Sequence, residues 1–441
     1  MRIVVLGAGH VGRALLDALH EHHEIVVIDV DAGRLAALSD RYDVGTIEGD
    51  GTTKRVIQRA TESGCDLFIG CSPREEANLI CAMLIKRLTG AQTIIRTTSA
   101  AYLEAWRERQ LDVDFMVSPE LETAHAISGI LGLPAARHTD AFADGDVQIV
   151  EFDMPSETPD DTLIGRPLRE AAIPADSKVA GLIRGGRMIV PRGNEMVLPG
   201  DRVVVIGSPA AARAWCRVVS GTEERVDDVV IFGAGRMGTT IARTLLEREI
   251  RVRLVDAQRE RAREVAESLP GARCFHAHAF DPEFLERERI GRATAAVFCL
   301  NDDARNLYGA ILAKAHGVRL TIALVHDEIS VDVYARGGVD VAINPRQVTA
   351  EEMVRFAHDP RIQQIAMLDE DRFEVLDLTV RAESALVGKP FRQLPATGSL
   401  IGAVIRNGTV IFPHSSEVLR AGDRVIVFVE SRRAAVVEQA L

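Results

Sequence analysis

Several features are missing from this sequence. No apolar run approaches the roughly 18 residues that a bilayer-spanning helix requires, which excludes a segment that crosses a membrane by itself. Positive charge is in deficit, 52 Lys plus Arg against 64 Asp plus Glu for a net charge of −12. A polybasic membrane anchor and nonspecific nucleic-acid binding both need a cationic surface, so both are excluded. No Cys-x-x-Cys pair occurs. Cys65, Cys71, Cys81, Cys216, Cys274 and Cys299 stand singly, as expected of free, mostly buried thiols in a reducing cytosol. The opening MRIVVLGAGHVGRALLDALHEHH soon breaks into Gly, Arg, Asp and His, and reads as a strand and helix rather than a signal peptide. What is present, 47% hydrophobic and 26% charged residues over a length of 441, is the balance of a cytoplasmic globular protein of about two to four domains.

The chain repeats itself. RIVVLGAGHVGRALLDAL returns as DVVIFGAGRMGTTIARTL, TLIGRPLREAAIP as ALVGKPFRQLPAT, and LPGDRVVVIG as RAGDRVIVFV. Gly7 thus pairs with Gly233, Gly165 with Gly388 and Gly200 with Gly422, at offsets of 226, 223 and 222 residues. Three motifs in the same order at nearly one offset mean two tandem copies of a unit with a large and a small part.

In the large part, short β-branched runs alternate with helical-period segments. Ile3–Leu6, Ile25–Ile28, Val44–Ile47, Leu67–Ile69, Thr93–Arg96 and Phe115–Val117 read as strands, with amphipathic stretches such as Val11–Leu19, Lys54–Ala60, Ala77–Leu88 and Tyr102–Arg109 between them. Copy two repeats the order from Val229–Phe232 to Val339–Ile343. The pattern predicts an α/β fold: two doubly wound, parallel-sheet, Rossmann-like domains. An exit helix follows each, Pro119–Leu131 with an apolar stripe of Leu121, Ala124, Ile127 and Leu131, and Pro345–His358. A small α+β part comes next, with a strand at Val147–Phe152, a short helix at Pro167–Ala172, and hairpins turning at Gly185–Gly186 and Asn407–Gly408. The expected domains are residues 1–134, 135–220, 226–358 and 359–441.

Gly7-Ala8-Gly9-His10-Val11-Gly12 lies between strand one and the first helix. Its glycines suit a tight turn, backbone approach of a pyrophosphate, and close helix–strand packing, and the helix start offers N–H groups to phosphate. Asp29 follows Gly7 by 22 residues at the end of strand two, where an acid binds ribose hydroxyls and repels a 2′-phosphate, favouring NAD(H). Asp50 after strand three, Cys71 and Ser72 after strand four, and Arg96 at the end of strand five face the same crevice. Asp50 and Arg96 read equally as solvated loop charges, and Cys71 reads as a small buried residue rather than a reactive thiol.

Copy two keeps Gly233-Ala234-Gly235-Arg236-Met237-Gly238 and Asp256, but His276-Ala277-His278 replaces Glu48-Gly49-Asp50 and Leu324 replaces Arg96. The second site is therefore expected to bind adenosine nucleotide weakly or not at all, and the first to take the more strongly charged nucleotide. Cys274, His276 and His278 alternate along a strand, but the outer two would lie about 13 Å apart, too far to close on one metal ion without a bend; no metal is expected. Glu75-Glu76 and Asp302-Asp303 read as ordinary dipole complements in a first helical turn.

These residues resemble the TrkA family of Trk potassium uptake systems, peripheral subunits with two RCK (KTN) units in tandem. The resemblance covers the whole length. It rests on the paired GAGxxG loops, the acid after strand two, the acidic strand-four turns ending in Asn78 and Asn306, the exit helices, and the LxGxPL/F and Gly-Asp-Arg-Val motifs of the small parts. It implies NAD(H) and ATP or ADP as ligands, large domains paired through the exit helices, and a homo-oligomeric ring, expected as a tetramer. It further implies a position on the inner face of the cell membrane beside a potassium-conducting subunit of the TrkH type. By position it assigns nucleotide contacts to Gly7 through Val11, Asp29, Cys71-Ser72 and Arg96, then to Gly233 through Met237 and Asp256.

Two other classes compete with a regulatory ring: an NAD-dependent oxidoreductase and a standalone cytosolic nucleotide sensor. A dehydrogenase needs a positioned acid or base over the nicotinamide. Asp140–Ser208 contains no His or Tyr and only Lys178, and Leu368–Glu430 offers only His414 and Lys389. The sequence therefore favours a protein with no chemistry of its own.

Overall fold

The computed structural model describes residues 1–21, 23–133, 135–156, 163–221, 226–326, 331–355, 362–368, 373–393, 399–414 and 416–441. The first copy opens with β1 (Arg2–Leu6), α1 (His10–Leu19), β2 (Glu24–Asp29), α2 (Ala32–Ser39), β3 (Gly45–Glu48) and α3 (Lys54–Ala60). It continues through β4 (Leu67–Gly70), α4 (Glu75–Thr89), β5 (Gln92–Arg96), α5 (Ala100–Arg107), β6 (Phe115–Val117) and the exit helix α6 (Pro119–Gly132). The small part holds β7 (His138–Phe142), β8 (Val147–Asp153), β9 (Ser177–Arg184), β10 (Arg187–Ile189), β11 (Arg202–Gly207) and α7 (Pro209–Ser220).

The second copy runs β12 (Asp228–Phe232), α8 (Arg236–Glu247), β13 (Arg251–Asp256), α9 (Arg259–Ser268), β14 (Arg273–His276), α10 (Pro282–Arg287) and β15 (Ala295–Phe298). Then come α11 (Asp303–Ala315), β16 (Leu320–Leu324), α12 (Val331–Arg336), β17 (Val341–Ile343) and α13 (Pro345–Arg355). Its small part holds β18 (Ile362–Leu368), β19 (Phe373–Thr379), β20 (Ser399–Arg406), β21 (Thr409–Ile411), β22 (Arg424–Glu430) and α14 (Ala434–Ala440). Residues 356–358, expected to end the second exit helix, lie outside the described residues.

Both large sheets are parallel and share one topology, β3-β2-β1-β4-β5-β6 and β14-β13-β12-β15-β16-β17, the doubly wound order whose crevice opens where β1 and β4, or β12 and β15, diverge. Burial on both faces explains the continuous apolar strands: Ile3, Val4, Val5, Val229, Val230 and Ile231 are all at most 1% exposed. Both small sheets are antiparallel, ordered β10-β9-β11-β8-β7 and β21-β20-β22-β19-β18 when read from the hairpin edge. The hairpins turn through Gly185 and Gly186 (φ 55° and 73°) and through Asn407 and Gly408 (φ 52° and 75°), the paired positive angles of a type I′ turn.

The chain groups these parts by kind rather than by order. Residues 1–125 and 227–358, which carry both glycine loops, form one compact unit, and residues 126–226 and 359–441 form the other. Within the first unit α13 packs against α1 and also reaches β6, so an exit helix of one copy covers the other copy inside a single chain. Within the second unit the two small sheets share a core that joins Phe142, Val204 and Ile206 to Phe373, Ala403 and Phe428.

Three expectations are corrected. Pro167–Ala172 is a turn, not a helix: Glu170 and Ala171 both donate to Pro167 O at 2.8 and 3.0 Å, closing one turn that does not continue, while Leu168 N and Arg169 N tie it to Glu195 O and Gly193 O at 2.8 and 2.9 Å. The stripe on α6 is not a free pairing surface: Ala124, Ile127 and Leu131 are at most 2% exposed, and Leu121 packs on the core of the first sheet. The small parts also gain edge strands β7 and β18 and the closing helices α7 and α14.

Candidate functional site

The glycines of each loop have separate roles. Gly7 and Gly233 have φ of +116° and +109°, and a Cβ there would lie 2.9 Å from Ser72 N or 2.8 Å from Cys299 O. A Cβ on Gly12 or Gly238 would sit 2.0 or 1.8 Å from the carbonyl oxygen of Gly7 or Gly233, so the fold itself requires these four glycines. Gly9 and Gly235 differ. Their φ values are −80° and −69°, which any residue adopts, and a Cβ would meet no atom within 4 Å. Nothing in the packing demands glycine there, and the absence of a side chain leaves the backbone open to approach. Both residues are N-caps with no side chain to cap α1 or α8, so first-turn N–H groups and the positive helix end point to an anion.

Asp29 and Asp256 hold the loops in shape. Asp29 is 8% exposed and accepts from Ala8 N at 2.6 Å and Asp31 N at 2.9 Å. Asp256 repeats the pair, from Ala234 N and Gln258 N at 2.8 Å each, and adds Arg261 at 3.4 Å. The acid inferred as a ribose contact therefore also fixes the turn that would receive the pyrophosphate.

Behind each loop lies the strand-four turn. Cys71 directs its sulfur at Leu6 O and Gly7 O, and Cys299 does the same at Phe232 O and Gly233 O. Burial pushes both thiols up to about 12, so neither is a nucleophile at neutral pH. These two of the six single cysteines are thus equivalent in the two copies. Asn78, fully buried, accepts from Ser72 N and donates to Ser72 O and Arg96 O. Asn306 makes the same bonds with Leu300 N, Leu300 O and Leu324 O, which places Leu324 where copy one has Arg96.

Glu75 and Asp303 are more than dipole complements. Glu75 accepts from Thr97 Oγ1 at 2.7 Å, Thr98 N at 2.9 Å and Ser99 N at 3.1 Å, and from Thr98 Oγ1, clamping the loop that follows Arg96. Asp303 grips the matching loop through His326 N and Nδ1 at 2.9 and 2.7 Å. The sequence signal was an acid four residues past each cysteine.

The strand-three turns diverge. Asp50 accepts from Thr52 N and Oγ1 at 2.9 and 2.8 Å and pairs with Arg74 at 3.4 Å; the Thr52 bonds, with help from Arg74, hold its carboxyl below the ordinary range. In register, Asp29 pairs with Glu48 and Asp256 with His276, so His278 takes the place of Asp50. His276 Nε2 lies 3.2 Å from Ala257 O, and Asp281 caps α10. Among the described residues no cluster of three or more His, Cys, Asp or Glu is arranged to hold a metal ion.

His10 is exposed at the start of α1, beside buried Val11. Arg236, in the same place on α8, reaches the first copy: it donates to Thr98 Oγ1 at 3.0 Å and lies 3.7 Å from Glu120. Ala234, Gly235 and Arg236 line a cleft of about 1020 Å³, the upper size of a small-molecule site. Its walls are Arg243 and Arg261 on one side and Leu103 and Glu120 on the other.

Comparison with known proteins follows these boundaries. Residues 3–119 and 229–345 each match the TrkA-N domain family, and residues 156–220 and 375–441 each match the TrkA-C domain family. A Trk system potassium uptake protein TrkA of Halomonas elongata is 30% identical over 447 residues, covering 98% of this chain and 96% of that one. A TrkA homolog of Archaeoglobus fulgidus is 29% identical over 431 residues, 97% of each chain. Among solved structures, the GsuK RCK domain superposes with a TM-score of 0.60 at 19% identity, covering 100% of this chain and 94% of that one. The GsuK channel bound to NAD gives 0.61 at 18%, covering 100% and 78%. No helix among the described residues is long and apolar enough to cross a membrane.

Proposed function

Because the chain belongs to the TrkA family, we propose that it is the nucleotide-responsive cytoplasmic subunit of a potassium uptake system. In this reading it binds adenine nucleotides, NAD(H) and ATP or ADP, and forms a ring of identical chains, a tetramer. The ring passes nucleotide occupancy to a potassium-conducting membrane partner of the TrkH type. The names of the curated relatives support the potassium system. The nucleotide is carried by one observation: Gly9 and Gly235 are glycines that the fold does not need.

A bound nucleotide would bring a pyrophosphate anion and an adenosine ribose. The backbone from Gly7 to Gly12 and from Gly233 to Gly238 would hold the phosphates, with Arg96 adding positive charge at the first site. Asp29 and Asp256 would set the ribose edge, with Asp50 next to the first. Cys71 and Ser72 would form the wall behind. The raised thiols support binding without catalysis. The ring then responds as a population shift, limited by the ligand's differential affinity for two arrangements.

The test is Gly9→Glu in the full chain. The open surroundings of Gly9 admit a Cβ without a clash, while the carboxylate of the new side chain blocks the anion. The variant is expected to keep its melting temperature, to lose nucleotide binding at the first site in calorimetry, and to alter potassium uptake in cells lacking the native protein. Undiminished nucleotide binding at the first site would refute the reading.

A further inference from the structure

The two ribose edges differ in electrostatic character. At the first, Asp29, Asp31, Glu48 and Asp50 stand with two arginines, Arg34 on Asp31 and Arg74 on Asp50; at the equivalent positions of the second, Asp256 faces Arg261, and the rest are Gln258, His276 and His278. Arg34 and Arg261 occupy the same helical position but have different partners, and the cause is local. Asp31 caps α2, accepting from Gly33 N and Arg34 N, and draws the Arg34 guanidinium to its second oxygen at 3.4 Å. Gln258 makes no side-chain cap on α9 and has no charge to attract Arg261. Arg261 therefore falls on Asp256 at 3.4 Å, stays 39% exposed, and lines the cleft beside Gly235.

An acid at the end of strand two disfavours a phosphate on the ribose, and a neighbouring arginine accommodates one. At the first site the acid acts without relief and is joined by further carboxylates. At the second its charge is already paired, and a guanidinium able to hold a phosphate in two hydrogen bonds stands at the edge. Resting on the proposal that both crevices bind nucleotides, we propose that the second site accepts a dinucleotide with a 2′-phosphate on its adenosine ribose, NADP(H), through Arg261. The first site admits only the unphosphorylated ribose. The duplicated chain would then read two different nicotinamide pools.

The experiment uses NADH and NADPH fluorescence titrations of the full chain. Gly9→Glu leaves only the second site, and Gly235→Glu leaves only the first. With the second site alone, NADPH is expected to bind within about three-fold of NADH. With the first alone it binds roughly ten-fold or more weakly, the scale of one charge-assisted contact. On the second-site chain, Arg261→Gln should weaken NADPH by about the same factor and leave NADH nearly unchanged. Gln258→Asp should do likewise without removing the arginine, by restoring the acidic cap that diverts it. Equal NADPH discrimination at the two sites overturns the inference, as does indifference of NADPH to both variants, or a second site that binds neither dinucleotide. If NADH binds neither single-site chain, the nucleotide reading falls as well.

Discussion

In the first crevice Asp50 is wired to Thr52 and Arg74, Arg96 ends β5, and Glu75 clamps hydroxyls and amides of the next loop. In the second, His278 is exposed, Leu324 is buried, and Asp303 clamps an imidazole. Under these differences the scaffolds coincide. Both loops start at a positive-φ glycine, rest on a cysteine sulfur, and are pinned by a buried carboxylate and a buried asparagine. Duplication has kept the residues that shape the backbone, together with Gly9 and Gly235, which the packing does not need. The residues that differ cluster at the rim of the crevice, at or just after the ends of β3, β5 and β14.

Breaking the shared part should cost most. Gly12→Ala and Gly238→Ala place a methyl group 2.0 and 1.8 Å from a carbonyl oxygen, and each should destabilise the protein by about 2–4 kcal/mol despite the better helix propensity of alanine. Denaturant midpoints would check this, and similar losses in the two copies would support a common scaffold. A loss in one copy only would show that the loops are not equivalent supports.

A smaller effect is expected in the antiparallel sheets. Asp201 accepts two bonds from Arg184, at 2.8 and 2.7 Å, and one from Leu198 N at 2.8 Å. Asp423 repeats this with Arg406 and Arg420 N at the same distances. The Gly-Asp-Arg motif thus ties a turn to the tip of the hairpin, at the residue just before its two-residue turn. Asp→Asn should cost about 1–3 kcal/mol at each. The loss should be greater at Asp423, because Arg406 is 16% exposed and Arg184 35%, and solvent screens the more exposed pair. A larger loss at Asp201→Asn would contradict this ranking.

The parallel sheets were legible because their strands are buried on both faces and each is followed by a period-3.6 segment. The loops were legible because a positive-φ turn against a neighbouring strand leaves glycine as the acceptable residue. The closing helix α7 also carries its signals in the sequence: Ser208 as N-cap, Pro209 in the first turn and Gly221 as a left-handed stop. What the sequence could not reveal depends on distant partners. The turn at Pro167 is tied by hydrogen bonds to residues 193 and 195. The pairing of Arg261 with Asp256 rather than a helix cap, and the reach of Arg236 to Thr98, likewise arise only in the folded chain.

The smallest effect sharpens the contrast between the two clamps. Burial alone would raise the Glu75 carboxyl, but bonds from Thr98, Thr97 and Ser99 outweigh it and hold the group below its ordinary value. A carboxyl depressed in the folded state contributes stability that is fully present above its unfolded value, about pH 4.3. That contribution is lost as pH falls through the lower folded value. Protection of the Thr98 and Ser99 amides against hydrogen exchange, taken relative to their intrinsic rates, should therefore fall on acidification below about pH 4. Glu75→Gln should lower it already at neutral pH, by several-fold, the scale of a roughly 1 kcal/mol hydrogen-bond loss. The His326 amide, held by Asp303, should be untouched by the Glu75 substitution. Amides at 98 and 99 that exchange as slowly in Glu75→Gln as in the native chain would show that the first loop is held by something other than this carboxylate, and the contrast between the clamps would then lose its physical basis.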